Sequence, residues 1–287
     1  MPELPEVETI RRGLVGVVNK KVKRIFKSEK NLRIKSTEVL SKINDAEITK
    51  IDRRARYLIL HFSNARSLII HLGMSGRVTL AKEFLQLKHD HFACEFTDGS
   101  WLIFNDTRRF GFVDLVSAKD LKNHKMLNKL GPEPVILEGE TETHKDEFNF
   151  NYLKEKLRAK KMNIKTTMMD NEIVVGVGNI YINESLFDAK ISPLRNASEL
   201  SDKEIKTLIS SIKKIIKQAI DLGGSSISDY VDSKGDLGNF QNTFKVYGRE
   251  QKNKNEQDSG NCLLCKNLIR KIKQNGRSSF YCPQCQK

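Results

Sequence analysis

Apolar side chains recur at helical spacing at the start of the chain and then in short runs up to residue 116. The first set predicts one amphipathic helix and contains Val7, Ile10, Leu14, Val17 and Val18. The later runs are rich in β-branched and aromatic residues and cover Val22–Phe26, Glu47–Ile51, Tyr57–Phe62, Ser67–Leu72, Arg77–Leu80, Phe92–Thr97, Trp101–Phe104 and Gly111–Val116. Short, closely spaced runs of this kind predict a β-sandwich or barrel.

The second half of the chain changes to helical patterns. Leu121–Leu130 is such a pattern, Gly131-Pro132-Glu133-Pro134 interrupts it, and a polar stretch to about Asn149 is typical of a linker. Further helices are predicted at Tyr152–Arg158, at Asn179–Phe187, and from the capping box Ser201-Asp202-Lys203-Glu204 to Gly223-Gly224. We expect an α+β multidomain protein: a β-sandwich with a leading helix at 1–131, a linker at 132–149, a helical domain at 150–238 and a small domain at 239–287.

The charge of the chain indicates a polyanionic partner. Its 50 Lys and Arg residues against 36 Asp and Glu give a formal net charge of +14, which favours nucleic acid. No apolar run approaches the roughly 18 residues that span a bilayer, and the acidic start lacks the features of a signal peptide. The expectation is a soluble cytosolic monomer without a membrane partner.

Four of the five cysteines lie in two C-x-x-C hooks near the C-terminus, Cys262/Cys265 and Cys282/Cys285. Hooks at this separation predict one tetrahedral Cys₄ zinc site that holds a β-hairpin. Four thiolates leave no open position on the metal, so the zinc is expected to be structural. No residue from Ser259 onward is acidic, so the hairpin is expected to contact phosphate. Cys94 lies in a strand pattern and is expected to be a buried thiol.

The first residues can form a reactive centre. Removal of Met1, which a small second residue favours, would leave Pro2 with a free secondary amine. An α-amine titrates at roughly 7.7–8.0 against about 10.4 for lysine, so near neutral pH more of it is a nucleophile. Its attack on a sugar carbon gives an iminium with no nitrogen proton to lose. Glu3 and Glu6 are placed to move protons, although Pro and Glu are also typical of an ordinary helix start.

Four turns or loops carry side chains suited to DNA. Val174–Tyr181 has a Gly-rich turn that lacks the third glycine of a dinucleotide motif, and with Asn179 and Lys165 it suits a phosphate. Met74 and Phe110 lie in turns between strands, and are either core residues or wedges that enter a base stack. For Lys88-His89-Asp90-His91, a phosphate contact is favoured over a metal site.

These segments, in this order, resemble the formamidopyrimidine-DNA glycosylase family over nearly the full chain. The similarity runs through Pro2–Thr9, Leu130–Pro134, Gly176–Tyr181, Val246–Arg249 and Gly276–Cys282. The resemblance implies a catalytic N-terminal β-sandwich, a helix-two-turn-helix module at 150–238 and a zinc finger at 239–287. It also implies double-stranded DNA bound between the halves and a place in the bacterial cytoplasm at the nucleoid.

The resemblance also implies roles for single residues. Pro2 would be the nucleophile and Glu3 the catalytic glutamate, with Glu6 in support. Met74, Arg108 and Phe110 would fill the space left by the flipped nucleotide, and the Gly223–Asn239 segment would close over the extruded base. Phosphate contacts would come from His71, His89, Lys160, Lys165, Asn179 and Arg277.

Arg56 and Arg277 are also counted among the catalytic residues. The chain departs from the family pattern in two places. Arg56, in Arg53-Arg54-Ala55-Arg56-Tyr57, stands where the family usually has lysine. Arginine binds phosphate but cannot give up its proton, so a proton-donor role is in question at this position. The insert Gln251–Gly260 is longer than the family pattern and is expected to lengthen a loop.

The implied activity combines a glycosylase with an abasic-site lyase. Pro2 would expel an oxidised purine such as 8-oxoguanine or a formamidopyrimidine, and β- and δ-elimination would cut the strand. Two alternatives remain open. Endonuclease VIII-type enzymes share the architecture, prefer oxidised pyrimidines and usually have Gly where this chain has Leu4. The other is a zinc-containing DNA-binding protein without activity, which retention of Met1 would favour.

Overall fold

The computed structural model describes residues 2–137, 147–226, 230–250 and 260–287. Met1, the middle of the predicted linker, part of the predicted closing loop and the insert at 251–259 lie outside the described residues. The chain divides into an N-terminal unit, Met1–Asn128 with Ile220–Gln241, and a C-terminal unit, Lys129–Ala219 with Asn242–Lys287. The four-part division drawn from the sequence stays a prediction, and this division differs from it in assigning Ile220–Gln241 to the N-terminal unit.

The N-terminal unit begins with a helix and continues as β-structure. Helix α1 is Leu4–Gly13, and a 3₁₀ turn at Val15–Val17 follows it. The strands are β1 Val22–Lys27, β2 Ile48–Arg54, β3 Tyr57–Phe62, β4 Arg66–His71, β5 Gly76–Ala81, β6 Asp90–Phe96, β7 Trp101–Asp106 and β8 Phe112–Ser117. Each predicted strand is present, with ends that differ by a few residues.

The strands form two antiparallel four-stranded sheets that share one core. One sheet has the order β1-β6-β7-β5 and the other β2-β3-β4-β8. Their alternating inner side chains meet in a single buried cluster, to which α1 adds Val7, Ile10 and Leu14. This arrangement confirms the predicted β-sandwich with a leading helix.

Two helix predictions in this unit are wrong. The first helix was expected to include Val17 and Val18, but it ends at Gly13, where there is no space for a side chain: an added Cβ would lie 1.9 Å from Ser233 Oγ. The helix expected at Leu121–Leu130 is a 3₁₀ turn, Ala118–Asn123, followed by non-helical turns. There the Met126 N–H donates to His124 Nδ1 at 3.3 Å, a local bond that competes with helical pairing.

The described residues of the C-terminal unit include four α-helices and a β-hairpin. They are α2 Phe150–Leu157, α3 Ile164–Met168, α4 Asn179–Asp188, α5 Asp202–Asp221, β9 Arg270–Gln274 and β10 Arg277–Tyr281; the last residues of α5 fall in the N-terminal unit. The predicted capping box is confirmed, since the Ser201 N–H donates to Glu204 Oε2 at 2.8 Å. Helix α3 was not predicted, because five residues are too few to show a helical period. Among the described helices, none is long and apolar enough to cross a membrane.

The sandwich core offers a direct test of the packing. Leu60 is 2 % exposed in the core, whereas Leu85 is 78 % exposed. We expect Leu60→Ala to lower the free energy of unfolding by about 2–5 kcal/mol and Leu85→Ala to change it by less than about 0.5 kcal/mol. Urea unfolding followed by fluorescence of Trp101, the single tryptophan of the chain, reports on this unit. Equal effects of the two substitutions would contradict the assigned core.

Candidate active site and nucleic-acid interface

Pro2 and Glu3 precede α1 and are buried. Glu3 is the N-cap residue, and it forms a capping box with Glu6 in which each side chain accepts the other residue's backbone N–H. The Glu3 N–H lies 2.7 Å from Glu6 Oε2. This bond fixes the peptide that follows Pro2. The two carboxylates that the sequence selected therefore lie together at the start of the helix.

A further buried acid, Glu8, holds α1 on the sandwich. The Glu8 carboxylate is fully buried and accepts hydrogen bonds from Arg11 and Arg12 on α1 and from Arg53 on β2, the last at 3.2 Å. Burial raises the pKa of Glu8, but the hydrogen bond from Arg11 and the charge of Arg53 outweigh it and hold this pKa below its usual range. Glu8 stays ionised, so it serves as an anchor. The sequence pattern did not reveal this role.

Met74 and Phe110 are exposed on two turns that touch each other. The side chains are 39 % and 47 % exposed, and neither belongs to the core. Gly73, with φ +60°, lies so close to the second turn that an added Cβ would be 2.4 Å from the Gly111 N. The Arg108 guanidinium lies 4.8 Å from the centre of the Phe110 ring. Two exposed apolar side chains and one cation are thus held at the same end of the sandwich.

The buried carboxylate of Asp106 organises both turns. Oδ1 accepts the Ser75 hydroxyl at 2.6 Å and the Arg108 N–H at 3.2 Å, and Oδ2 accepts the Gly111 N–H at 2.8 Å. Its own N–H donates to the His89 carbonyl at 3.0 Å, which brings His89 to the same end. These bonds satisfy a carboxylate that would otherwise be costly to bury. They also fix the backbone on either side of Phe110.

His71 lies at the end of β4, opposite Tyr57 on β3 and beside the positive charge of Arg56. Burial lowers the pKa of His71 to about 4, and the charges of Arg56 and Arg33 act in the same direction. His71 is therefore neutral at pH 7. Its Nδ1 accepts the Gly73 N–H at 3.2 Å, so the ring proton is on Nε2 and can be donated to a phosphate oxygen. The influence of Arg33 on His71 was not predicted from the sequence.

His91 is part of the sandwich interior. Its Nε2 lies 2.9 Å from the Asp106 carbonyl and its Nδ1 lies 3.0 Å from Ser28 Oγ. Both nitrogens are occupied by protein partners, so His91 is not open to a metal. Of this motif, His89 alone lies at the turn end, where its side chain is half-buried.

The C-terminal unit brings Lys165 and Arg277 together. Lys165 is 1 % exposed, and its Nζ donates to the Ser278 carbonyl of β10 at 3.1 Å. Burial and the charge of Arg277 lower the pKa of Lys165 to about 8. Asn179 is the first residue of α4, and its Oδ1 is buried with no partner among the described residues. Lys160 lies after the end of α2 and is half-buried.

Two neighbouring residues of α4 bind the backbone of later segments in the same unit. Neither role was predicted from the sequence. Asn183 Oδ1 accepts the Phe280 N–H of β10 at 2.8 Å. Glu184 accepts the N–H groups of Lys245, Val246 and Tyr247 at 2.8–3.0 Å. Burial raises the pKa of Glu184 although the three N–H groups oppose it. The helix that starts at Asn179 is therefore joined to the hairpin that carries Arg277.

The four hook cysteines converge in one cluster. Their sulfur atoms lie within 4.8 Å of one another, and the Cys262–Cys285 sulfur distance is 3.8 Å. A tetrahedral zinc with Zn–S bonds of about 2.3 Å places its sulfurs about 3.8 Å apart, so the donors fit the ion. Hydrogen bonds from Asn267 lower the pKa of Cys265 to about 6, whereas burial and the neighbouring thiols raise the pKa of Cys285 to about 12. Cys94 is buried in β6, as expected.

Three family descriptions match consecutive parts of the chain. The formamidopyrimidine-DNA glycosylase N-terminal domain matches residues 1–113, the H2TH domain of the same enzyme residues 130–231, and the zinc finger found in FPG and IleRS residues 261–287. Curated proteins with the name formamidopyrimidine-DNA glycosylase are similar along their full length: 42 % identity in Wolbachia of Brugia malayi and 44 % in Rickettsia bellii, with 100 % of both chains covered.

Solved structures of Lactococcus lactis FPG have the same fold. A mutant bound to DNA containing Fapy-dG has a TM-score of 0.87 at 36 % identity, with 100 % of both chains covered. A complex with DNA containing an abasic site has a TM-score of 0.86 at 35 % identity, with 99 % of both chains covered.

One structural zinc is the cofactor of this fold. The matched zinc finger contains all four hook cysteines, and their sulfur cluster has the size that zinc requires. Cys262, Cys265, Cys282 and Cys285 would hold the ion as thiolates. Four protein ligands leave no position for water or substrate, so the ion stabilises the hairpin and takes no part in chemistry.

The turn-organising role of Asp106 can be tested with an isosteric change. In Asp106→Asn the amide nitrogen cannot accept an N–H, so a buried donor loses its partner and stability falls by about 1–3 kcal/mol. We expect several-fold weaker binding to a duplex with a tetrahydrofuran abasic site, because the turn of Phe110 loosens. Asp98→Asn, in an exposed turn of the same unit, is the control. Equal affinities of the two variants, measured by fluorescence anisotropy, would disprove this role.

Zinc removal should act on the C-terminal unit alone. We expect Cys282→Ser to lose the metal and Cys94→Ala to retain one zinc per chain, because Cys94 is not in the cluster. Chelation should weaken binding to duplex DNA before Trp101 fluorescence changes. Metal content by a chromogenic assay and DNA affinity by anisotropy are the measurements. Unchanged affinity after verified loss of zinc would contradict the expectation.

Proposed function

The chain belongs to the formamidopyrimidine-DNA glycosylase family, and we propose that it excises oxidised purines from duplex DNA and then cuts the strand. The observation that carries the proposal is that two features occur in the same unit. Glu6 holds the Pro2-Glu3 start of the chain, and Met74 and Phe110 are exposed on two turns in contact. The first suits covalent chemistry on a sugar, and the second suits entry into a base stack. The relatives named above support the substrate class.

In the proposed reaction, the Pro2 nitrogen bonds to C1′ of the damaged nucleotide and the bond from C1′ to the base breaks. The departing base takes a proton, and Glu3 is the group placed to move protons at this centre. Ring opening leaves an iminium between Pro2 and C1′, which acidifies the protons on C2′. Elimination then breaks the C3′–O bond and a second elimination breaks the C5′–O bond. Water then hydrolyses the iminium, which releases the sugar fragment as an aldehyde and frees the Pro2 amine. A one-nucleotide gap with phosphates on both sides remains in the DNA.

The proposed DNA contacts divide between the two units. Met74, Arg108 and Phe110 would occupy the space left by the extruded nucleotide, and His71 and His89 would donate to nearby phosphates. In the C-terminal unit, Arg277, Lys165 and Asn179 would bind phosphate, with Lys160 at the end of α2. Lys165 acts largely through its charge beside Arg277, since its ammonium is already bonded to a carbonyl.

Arg56 and the cellular setting complete the proposal. Arg56 would hold a phosphate beside neutral His71 and would not donate a proton, because a guanidinium does not give up its proton. The N-terminal amine requires removal of Met1, which lies outside the described residues.

The enzyme would act on the chromosome in the bacterial cytoplasm, because the proposed substrate is duplex DNA and the relatives are bacterial.

The proposal predicts a specific pattern of cleavage. Duplexes that contain 8-oxoguanine or a formamidopyrimidine should be cut to products with a phosphate at each end of the gap. A duplex with thymine glycol should be cut more slowly, and protein that retains Met1, prepared with an aminopeptidase inhibitor, should cut neither. Denaturing gels resolve the products. A strong preference for thymine glycol would favour an endonuclease VIII-type enzyme, and absence of any cleavage would favour a DNA-binding protein without activity.

A further inference from the structure

The carboxylate of Glu6 connects two parts of the chain that are distant in sequence. One oxygen, Oε2, accepts the Glu3 N–H at 2.7 Å, and the other, Oε1, accepts the Ser225 N–H at 2.7 Å. Glu6 is 2 % exposed. Because a buried carboxylate is costly without donors, both of these bonds contribute to its stabilisation. The group therefore depends on both segments at once.

Residues 223–226 and 230–241, called here the glycine segment, lie against α1 at both of its ends. At the start of the helix, a Cβ added to Gly224 would be 2.8 Å from Glu6 Oε1 and 3.0 Å from Glu6 Cγ. At its end, a Cβ added to Gly13 would be 1.9 Å from Ser233 Oγ. The helix and the segment thus leave no space between them at either position.

Tyr230 adds a third contact at the start of α1. Its hydroxyl lies 3.3 Å from the Glu6 carbonyl and 3.1 Å from the Gly223 carbonyl. Burial, followed by the charge of Glu6, raises the pKa of Tyr230, so the hydroxyl keeps its proton and donates. The segment has internal bonds as well, since the Phe240 N–H donates to the Gly224 carbonyl at 3.0 Å. The segment can therefore contact Glu6 as a piece of structure that is held together by its own hydrogen bonds.

We propose that Glu6 is a positioning residue that couples the seating of the glycine segment to the backbone of Glu3, and through it to the amine of Pro2. The inference rests on the proposed function. When the segment is seated, Glu6 has a donor on each oxygen and holds the Glu3 peptide in place. When the Ser225 N–H withdraws, Oε1 loses that donor, and the carboxylate turns toward other donors at the expense of its bond to Glu3.

The coupling has a consequence for the order of events. Because the seated segment sets the position of Pro2 through Glu6, base removal is efficient only after the segment is seated. Such coupling is reciprocal, so a fixed Pro2-Glu3 backbone also favours the seated segment. Positioning of this kind changes the rate of the chemical step, whereas binding of DNA through phosphates is largely unaffected.

The test uses two glycines with the same backbone conformation. Gly224 has φ +82° and its added Cβ meets Glu6, whereas Gly99 has φ +85° in the β6–β7 turn and its added Cβ meets nothing within 4 Å. Gly224→Ala and Gly99→Ala therefore introduce similar backbone strain, and one of them also displaces Glu6. Trp101 fluorescence confirms that the unit is folded in both variants.

Two quantities are measured for each variant: the single-turnover rate of 8-oxoguanine removal and the Kd for a duplex with a tetrahydrofuran abasic site. For Gly224→Ala we expect the rate to fall by about tenfold or more, the scale of losing a hydrogen bond to a charged group. The Kd should stay within about threefold and Gly99→Ala should match the wild type. Equal rates for the two variants would overturn the inference, as would a loss of affinity equal to the loss of rate.

A double-substitution cycle distinguishes coupling from two separate defects. Glu6→Gln keeps the size of the side chain and removes its charge, so it should slow base removal as well. If Gly224 acts through Glu6, the double variant should be about as slow as the slower single variant. Multiplied effects would contradict the coupling. Absence of base removal by the wild-type protein would instead contradict the proposed function, so the two failures are distinguishable.

Discussion

A carboxylate removed from water must be given hydrogen-bond donors, and this requirement shapes each functional segment of the protein. Glu6 takes its donors from Glu3 and Ser225, Asp106 takes them from the turn that carries Phe110, and Glu184 takes three from a segment of the C-terminal unit. In each case backbone N–H groups are among the donors, so the carboxylate fixes the main chain and leaves exposed side chains free to contact DNA. The fold buries these carboxylates, and their hydrogen bonds then hold the neighbouring backbone in place.

The fold was largely predictable because it depends on local pattern. Each strand of the sandwich showed as a short β-rich run, and the two cysteine hooks gave the zinc site by spacing alone. The helix expected at Leu121–Leu130 was wrong because His124 bonds to Asp114 and to the Met126 N–H, contacts that apolar spacing does not show. Helix α3 was missed because it is shorter than two turns.

Site residues that belong to a sequence motif were predictable, whereas the contacts of buried residues were not. Pro2, Glu3, Met74 and Phe110 could be selected from the sequence, and the structure places the last two side chains on exposed turns. Glu6 was selected from the sequence, but its bond to Ser225, 219 positions away, was not predicted. The supporting roles of Asp106 and Glu184 were not predicted either. Lys165 was predicted to bind phosphate, and the structure shows it buried against β10, an environment that its charge alone did not reveal.

The central claim is that the amine of Pro2 is the nucleophile, held in place by Glu3 and Glu6. The most direct measurement is borohydride reduction of the protein with abasic duplex DNA, followed by tandem mass spectrometry of the trapped peptide. The account predicts a covalent adduct on Pro2 of a chain that has lost Met1. An adduct on a lysine, or failure to trap any complex with protein that binds the DNA, would contradict it.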